Sequence, residues 1–146
     1  MRLKLVSVGR ERSDPAAPLV AEYAARIRKL VPFEETVLKL EADARVAERM
    51  RREASKSDLL VALDERGEQL TSRELSALVG GWMNRGFSEV TLVVGGPDGL
   101  PAEIKEAAGL RLGLSKMTLP HRLARLVLVE QLYRALAILR NVPYQK

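Results

Sequence analysis

Five times the sequence passes from a short apolar run to a stretch with helical spacing, and no other feature constrains its fold as strongly. "RLKLVSVG" reads as a strand punctuated by Gly9. "DPAAPLVAEYAARIRKL" follows as a helix that starts behind Asp14 and Pro15, with apolar positions at Leu19, Tyr23 and Ile27. "EETVLKL" is the second strand, and "DARVAERMRREASK" a polar helix with a thin stripe at Val46, Met50 and Ala54. "DLLVALDERG" is a buried strand that leaves through a charged turn, and "TSRELSALVGGWMNRG" opens with Thr71 and Glu74 at the spacing of a capping box. "EVTLVVGG", "PAEIKEAAG", "LRLGLS" and "PHRLARLVLVEQLYRALAILR" continue as strand, short helix, weaker strand and final helix, with Pro120 the expected first helical residue of the last. Such alternation predicts an α/β fold, a parallel sheet with helices on both faces.

No internal repeat, low-complexity tract or linker interrupts the pattern, so a single domain over residues 1–146 is expected, long enough to bury a core without staples. The absence of cysteine excludes disulfide and thiolate chemistry, and a single histidine, His121, argues against a histidine-built zinc site, so no metal is expected. No apolar leader follows the first residues. The longest apolar segment, from His121 to Arg140, is broken by Arg122, Arg125, Glu130 and Arg134, so a cytoplasmic protein with no membrane partner is expected. The net charge of +5 is concentrated at one end: residues 1–99 hold 16 basic and 16 acidic side chains, residues 100–146 hold 8 and 3. A local basic surface suits a polyanion such as RNA, or is simply a solvated face.

Ligands of open parallel sheets bind beyond the carboxyl ends of the strands, which directs attention to "LDERG" (63–67), "GGPDG" (95–99) and "LSKMTLP" (114–120). In the second loop Gly95 and Gly96 would let a ligand approach the backbone, and Pro97, Asp98 and Gly99 form a sharp turn; the bland alternative is a tight strand-to-helix connection. Neither G-x-G-x-x-G nor G-K-[ST] is present, which disfavours a nucleotide held by its phosphates. Loops rich in main chain, Leu and Met suit a largely neutral ligand such as an adenosyl group. The last helix is apolar on far more than one stripe, at Leu123, Leu126, Val127, Val129, Leu132, Ala135, Leu136, Ile138 and Leu139. It is expected to pack on the sheet and on a partner subunit. The bland readings are an ordinary ion pair for Glu130 and Arg134, one turn apart, and a surface or capping residue for His121.

Taken in order, "VGGPDGL", "LSKMTLPHRLARLVLVEQLYRA" and "NVPY" resemble the ribosomal RNA large subunit methyltransferase H family of the SPOUT superfamily, and "MRLKLVSVG" and "EYAARI" resemble that family's start. The resemblance spans nearly the whole chain. It implies a homodimeric enzyme that uses S-adenosylmethionine, with a SPOUT-type parallel-sheet fold whose C-terminal part is threaded as a trefoil knot, a topology that periodicity cannot reveal. The implied substrate is a pseudouridine of 23S ribosomal RNA in the assembled ribosome, methylated at N3. The implied cofactor contacts are Leu63, Gly95, Leu114, Ser115, Lys116, Met117, Thr118 and Leu119.

The sequence departs from the family in two places. Family members end in Pro-Tyr-His and a basic residue, whereas here Pro143 and Tyr144 are followed by Gln145 and Lys146, and the segment between the second and third strands is shorter than usual. Methyl transfer from a sulfonium to a ring nitrogen requires alignment and loss of the N3 proton. Arg134 is the candidate to stabilise the developing anion, His121 to accept the proton or orient the base, and Tyr144 to stack on the base or donate a hydrogen bond to it. A different class of function, a non-catalytic RNA-binding or ribosome-associated module, would use the same basic third and treat the glycine turns as punctuation.

Overall fold

The computed structural model describes residues 1–9 and 14–144. Strands β1 (Arg2–Val8), β2 (Phe33–Leu38), β3 (Leu59–Gln69), β4 (Glu89–Val93) and β5 (Leu110–Gly113) form one parallel sheet in the order β2-β1-β4-β3-β5. Helices α1 (Ala17–Arg28), α2 (Asp43–Glu53), α3 (Ser72–Asn84), α4 (Ala102–Ala107) and α5 (His121–Leu139) alternate with them. The expected order of elements is therefore present throughout.

Side-chain alternation along the strands sorts the helices into two layers. Leu3, Leu5, Val61, Val90 and Leu92 join the larger core with residues of α1, α3 and α5, while Val6, Val8, Ala62 and Val93 face a smaller core with α2 and α4. Helix α1 turns Val20, Ala24 and Ile27 inward and leaves Leu19 47% exposed, so its buried face is rotated from the expected Leu19–Tyr23–Ile27 stripe. The face of Val20, Ala24 and Ile27 is the one that packs into the larger core, which leaves Leu19 outside it. Helix α3 begins as its sequence predicts: Thr71 Oγ1 accepts from the Glu74 amide at 3.1 Å and the Glu74 carboxylate accepts from the Thr71 amide at 2.8 Å.

Helix α5 fills the space between α1 and α3, with Leu128, Leu132 and Leu136 fully buried and the Ser76 hydroxyl of α3 donating to the Ala135 carbonyl at 2.8 Å. Most of its broad apolar surface is thus covered within the chain, leaving Leu123 and Ile138 as its exposed large hydrophobic residues. Pro120 is the cap that precedes the helix, with ψ 149°, and His121 is its first residue. One step past the expected position, the ring still fits because the cap residue need not donate a hydrogen bond.

Strand β3 extends through the segment expected to be a turn. Leu63 pairs with Leu112 of β5, residues 64–67 loop out, and Glu68 returns to the same Leu112. Gly67 is what permits this return, because a Cβ there would lie 2.7 Å from the Arg111 backbone. Gly67→Ala is therefore expected to destabilise the fold by about 1–3 kcal/mol through overpacking. Gly81→Ala, in α3 where a Cβ meets nothing within 4 Å, should instead stabilise it by about 0.5–1 kcal/mol. Urea unfolding of the two variants checks the opposite signs.

Candidate functional site

The exits of β3, β4 and β5 surround a cleft of about 640 Å³, a volume suited to a small organic ligand. Leu63, Val94, Leu100, Leu112, Leu114, Leu119 and Ala124 supply apolar wall. Asp64, Glu65, Asp98, Lys105, Ser115, Thr118 and His121 supply polar groups. The last loop is braced from inside: Ser115 Oγ accepts from the Met117 amide at 2.9 Å, and the Thr118 hydroxyl donates to Glu65 at 3.0 Å. Lys105 of α4 stands 3.9 Å from Asp64. Arg125, one turn beyond His121, is held at 2.8 Å by Glu35 of β2 and at 3.6 Å by Asp14, which fixes the cleft end of α5 to the rest of the sheet.

Of the residues the resemblance nominates for the cofactor, Leu63, Gly95, Leu114, Ser115, Met117, Thr118 and Leu119 line the cleft and Lys116 does not. His121 lines it too. Asp64 and Glu65 lay inside the loops read from the sequence without being singled out, and Asp98 was read only as a turn residue; their acidity was the available signal. Lys105 reaches the cleft from a helix surface that no local pattern marks.

The role expected for the two glycines changes. A Cβ on Gly95 would lie against the Gly99 carbonyl carbon and 2.5 Å from the Leu100 nitrogen, and one on Gly96 would lie 3.2 Å from Val8 Cγ1. The missing side chains therefore make room for the protein's own turn, closed by the Gly99 amide donating to Gly96 O at 3.0 Å. At Gly95 this is the tight strand-to-helix connection given above as the alternative reading.

Arg134 and Tyr144 do not reach this cleft. Thirteen residues separate Arg134 from His121 on one helix, about 20 Å along its axis. At that end Asn141 adopts φ 54° and the Val142 amide donates to Ala137 O at 2.9 Å, a left-handed cap that folds the tail back over the helix. Tyr144 then lies with its hydroxyl 2.7 Å from Glu130 Oε2 and 3.1 Å from the Tyr23 hydroxyl. Its ring packs edge-on to Tyr133 at 4.8 Å and under the Arg134 guanidinium at 4.5 Å. Arg134 donates to Glu130 from both Nε, at 3.2 Å, and Nη2, at 2.8 Å. Burial acts to push the Glu130 carboxyl up, but hydrogen bonds from Tyr144, Arg134 and Gln131 and the charge of Arg134 hold it below the usual range. Burial, aided by Tyr23 and Glu130, pushes the Tyr144 phenol well above its ordinary value. Gln145 and Lys146, where the ending departs from the family, lie outside the described residues.

Much of the basic excess of the last third is committed to internal partners. Lys105 faces Asp64, Arg111 donates to the Lys105 carbonyl at 3.0 Å, Arg125 binds Glu35 and Asp14, and Arg134 binds Glu130. Among the described residues no group of three or more His, Cys, Asp or Glu side chains is placed to hold a metal ion, and no helix is long and apolar enough to cross a membrane.

A family model described as "Predicted SPOUT methyltransferase" matches residues 1–145. A ribosomal RNA large subunit methyltransferase H of Anaeromyxobacter sp. (strain Fw109-5) is 44% identical across 100% of both chains. The protein of the same description from Sorangium cellulosum (strain So ce56) is 42% identical over 99% of each. Among solved structures, one described as "a probable methylase family protein" from Haemophilus influenzae Rd KW20 has a TM-score of 0.62 at 13% identity, covering 99% of this chain and 70% of that one. Another from Neisseria gonorrhoeae has a TM-score of 0.56 at 14% identity, covering 99% and 94%. At those identities the two structures speak for the fold alone.

Two outcomes follow from the geometry. Gly95→Ala should lower folding stability by about 1–3 kcal/mol because the turn must open, and a melting temperature equal to that of the parent would contradict this account of the loop. The folded state lowers the Glu130 pKa from 4.5. Its stabilising contribution is therefore complete above pH 4.5 and lost as pH falls through the folded value. Urea unfolding should show Glu130→Gln clearly weaker than the parent at pH 7, with the gap narrowing in acid below that range.

Proposed function

The chain belongs to the SPOUT methyltransferase family, and we propose that it methylates N3 of a pseudouridine in 23S ribosomal RNA of the assembled ribosome with S-adenosylmethionine as donor. The observation that carries this reading is the cleft, where seven of the eight residues nominated for the cofactor converge from three strand exits. The relatives named as ribosomal RNA large subunit methyltransferases, matched over their full length, point to the RNA.

The residues present fit such a donor. Leu63, Leu100, Leu114 and Leu119 form an apolar slot for an adenosyl group, and Asp64, Glu65 and Asp98 against the single Lys105 leave a negative balance around it, which favours a cationic ligand. When bound, S-adenosylmethionine supplies an electrophilic methyl group. His121 lines the cleft at the start of α5, and in this proposal it accepts the N3 proton or orients the base.

Arg134 stands too far along α5 to serve the cleft of its own chain, and Tyr144 packs beside it from the tail. They serve chemistry only if a second copy brings its cleft to them, so the proposed enzyme is a homodimer with Arg134 stabilising the anion that develops on the base and Tyr144 shaping the surface beside it. Leu19 and Leu123, 47% and 46% exposed, supply apolar surface for that contact. Residues 1–146 act as one domain, and a ribosomal substrate places the enzyme in the cytoplasm. A trefoil knot in the C-terminal part, implied by the family resemblance, is part of the proposal.

Three measurements test this reading. Incubation of the protein and S-adenosylmethionine with ribosomes lacking the modification should yield N3-methylpseudouridine by mass spectrometry of nucleosides, and no methylated nucleoside would refute the assignment. Calorimetry with S-adenosylmethionine alone should show binding, whereas a purely RNA-binding module would give none. Sedimentation should give twice the 16.2 kDa chain mass, with Leu123→Asp shifting the protein toward monomer and lowering methyl transfer far more than donor binding.

A further inference from the structure

The densest polar network outside the cleft has one centre, Glu130, and both of its oxygens are occupied. Oε1 accepts from the Gln131 amide at 2.6 Å, and Gln131 is in turn held by the Ser72 hydroxyl at the start of α3. Oε2 accepts from Arg134 and from the Tyr144 hydroxyl. A phenol has a single proton, and a carboxylate has none to give. Tyr144 therefore donates to Glu130, and its 3.1 Å contact with Tyr23 is completed by the Tyr23 proton. The order of donation is Tyr23 to Tyr144 to Glu130, which joins α1, the tail and α5. With its hydroxyl engaged at both ends, one ring face under Arg134 and its edge against Tyr133, Tyr144 is held as an anchor.

The pattern of donors matters for Arg134. A guanidinium on a long stem has many rotamers, and a paired Nε and Nη2 restrict it to one orientation while the tyrosine ring packs against its plane. We infer that Glu130 is a positioning residue: its carboxylate, braced by Gln131 and Ser72, orients Arg134 and fastens the C-terminal tail through Tyr144, with Tyr23 completing the clasp. This rests on the proposed role of Arg134 in methyl transfer, and the fastening of the tail stands independently of that role.

The test pairs an activity readout with one that needs no activity. Glu130→Gln keeps the shape but replaces the acceptor-only carboxylate, and Tyr23→Phe removes only a hydroxyl from the clasp. In single turnover on unmodified ribosomes, Glu130→Gln should lower the methyl-transfer rate about tenfold or more, as loss of charge-assisted hydrogen bonds implies. Its dissociation constant for S-adenosylmethionine should stay within about twofold of the parent, since Glu130 is not among the residues that line the cleft. Carboxypeptidase should release Tyr144 faster from both variants than from the parent. Tyr144→Phe combined with Glu130→Gln should be no slower than the worse single variant, because the two act as one unit. A parent rate in Glu130→Gln, or donor affinity falling in step with rate, overturns the positioning role, and unchanged tail release from both variants overturns the clasp. If the parent protein itself methylates nothing, the proposed function fails, and tail release still decides the clasp.

Discussion

Burial of α5 is the constraint on which the rest of the structure depends. Leu128, Leu132 and Leu136 are removed from water between the sheet and the flanking helices α1 and α3, and full burial of each such side chain is worth about 1.5–3 kcal/mol. A helix fixed along its middle has both ends fixed as well. The amino end begins where the loop 114–120 closes the cleft, and Arg125 ties that end to Glu35 and Asp14. The carboxyl end presents Glu130, Tyr133 and Arg134 as the surface on which the tail lies.

The same rigidity separates two kinds of chemistry. The cleft is a slot of leucines and main chain edged with carboxylates, whereas the far end of α5 is a cluster of tyrosines and arginines gathered on one glutamate. A helix cannot bend through the intervening turns without losing backbone hydrogen bonds, so no small motion unites the two in one chain. This is the physical basis for including a second copy of the chain in the proposed mechanism. Internal pairing of Lys105, Arg125 and Arg134 also means that the basic composition of the last third overstates the charge offered to a polyanion.

Gly95 illustrates how a sequence signal can fix a position and leave its cause open. Two glycines after a strand mark a place where a side chain would be in the way, and the loop does form part of the cleft. What occupies the space beside Gly95 is the backbone of Gly99 and Leu100. Local sequence reports that room is needed and carries no information on whether a ligand or the chain itself will take it. Helix α1 makes the same point at Leu19, where hydrophobicity favoured a face that close packing rejected in favour of Val20 and Ala24.

Strand and helix order, the capping box at Thr71 and Glu74, the strand-exit loops and most of the cleft lining were legible in the sequence, because each follows from periodicity, local hydrogen bonding or a motif of adjacent residues. The strand order β2-β1-β4-β3-β5, the return of β3 onto β5 at Gly67, the approach of Lys105 to the cleft and the joining of Tyr23 to Tyr144 were decided only by tertiary structure. Tyr23 and Tyr144 lie 121 residues apart and meet solely because α1 and the tail pack on the same helix. Short-range patterns record what a segment prefers on its own, whereas contacts between distant segments arise from how whole faces exclude water together.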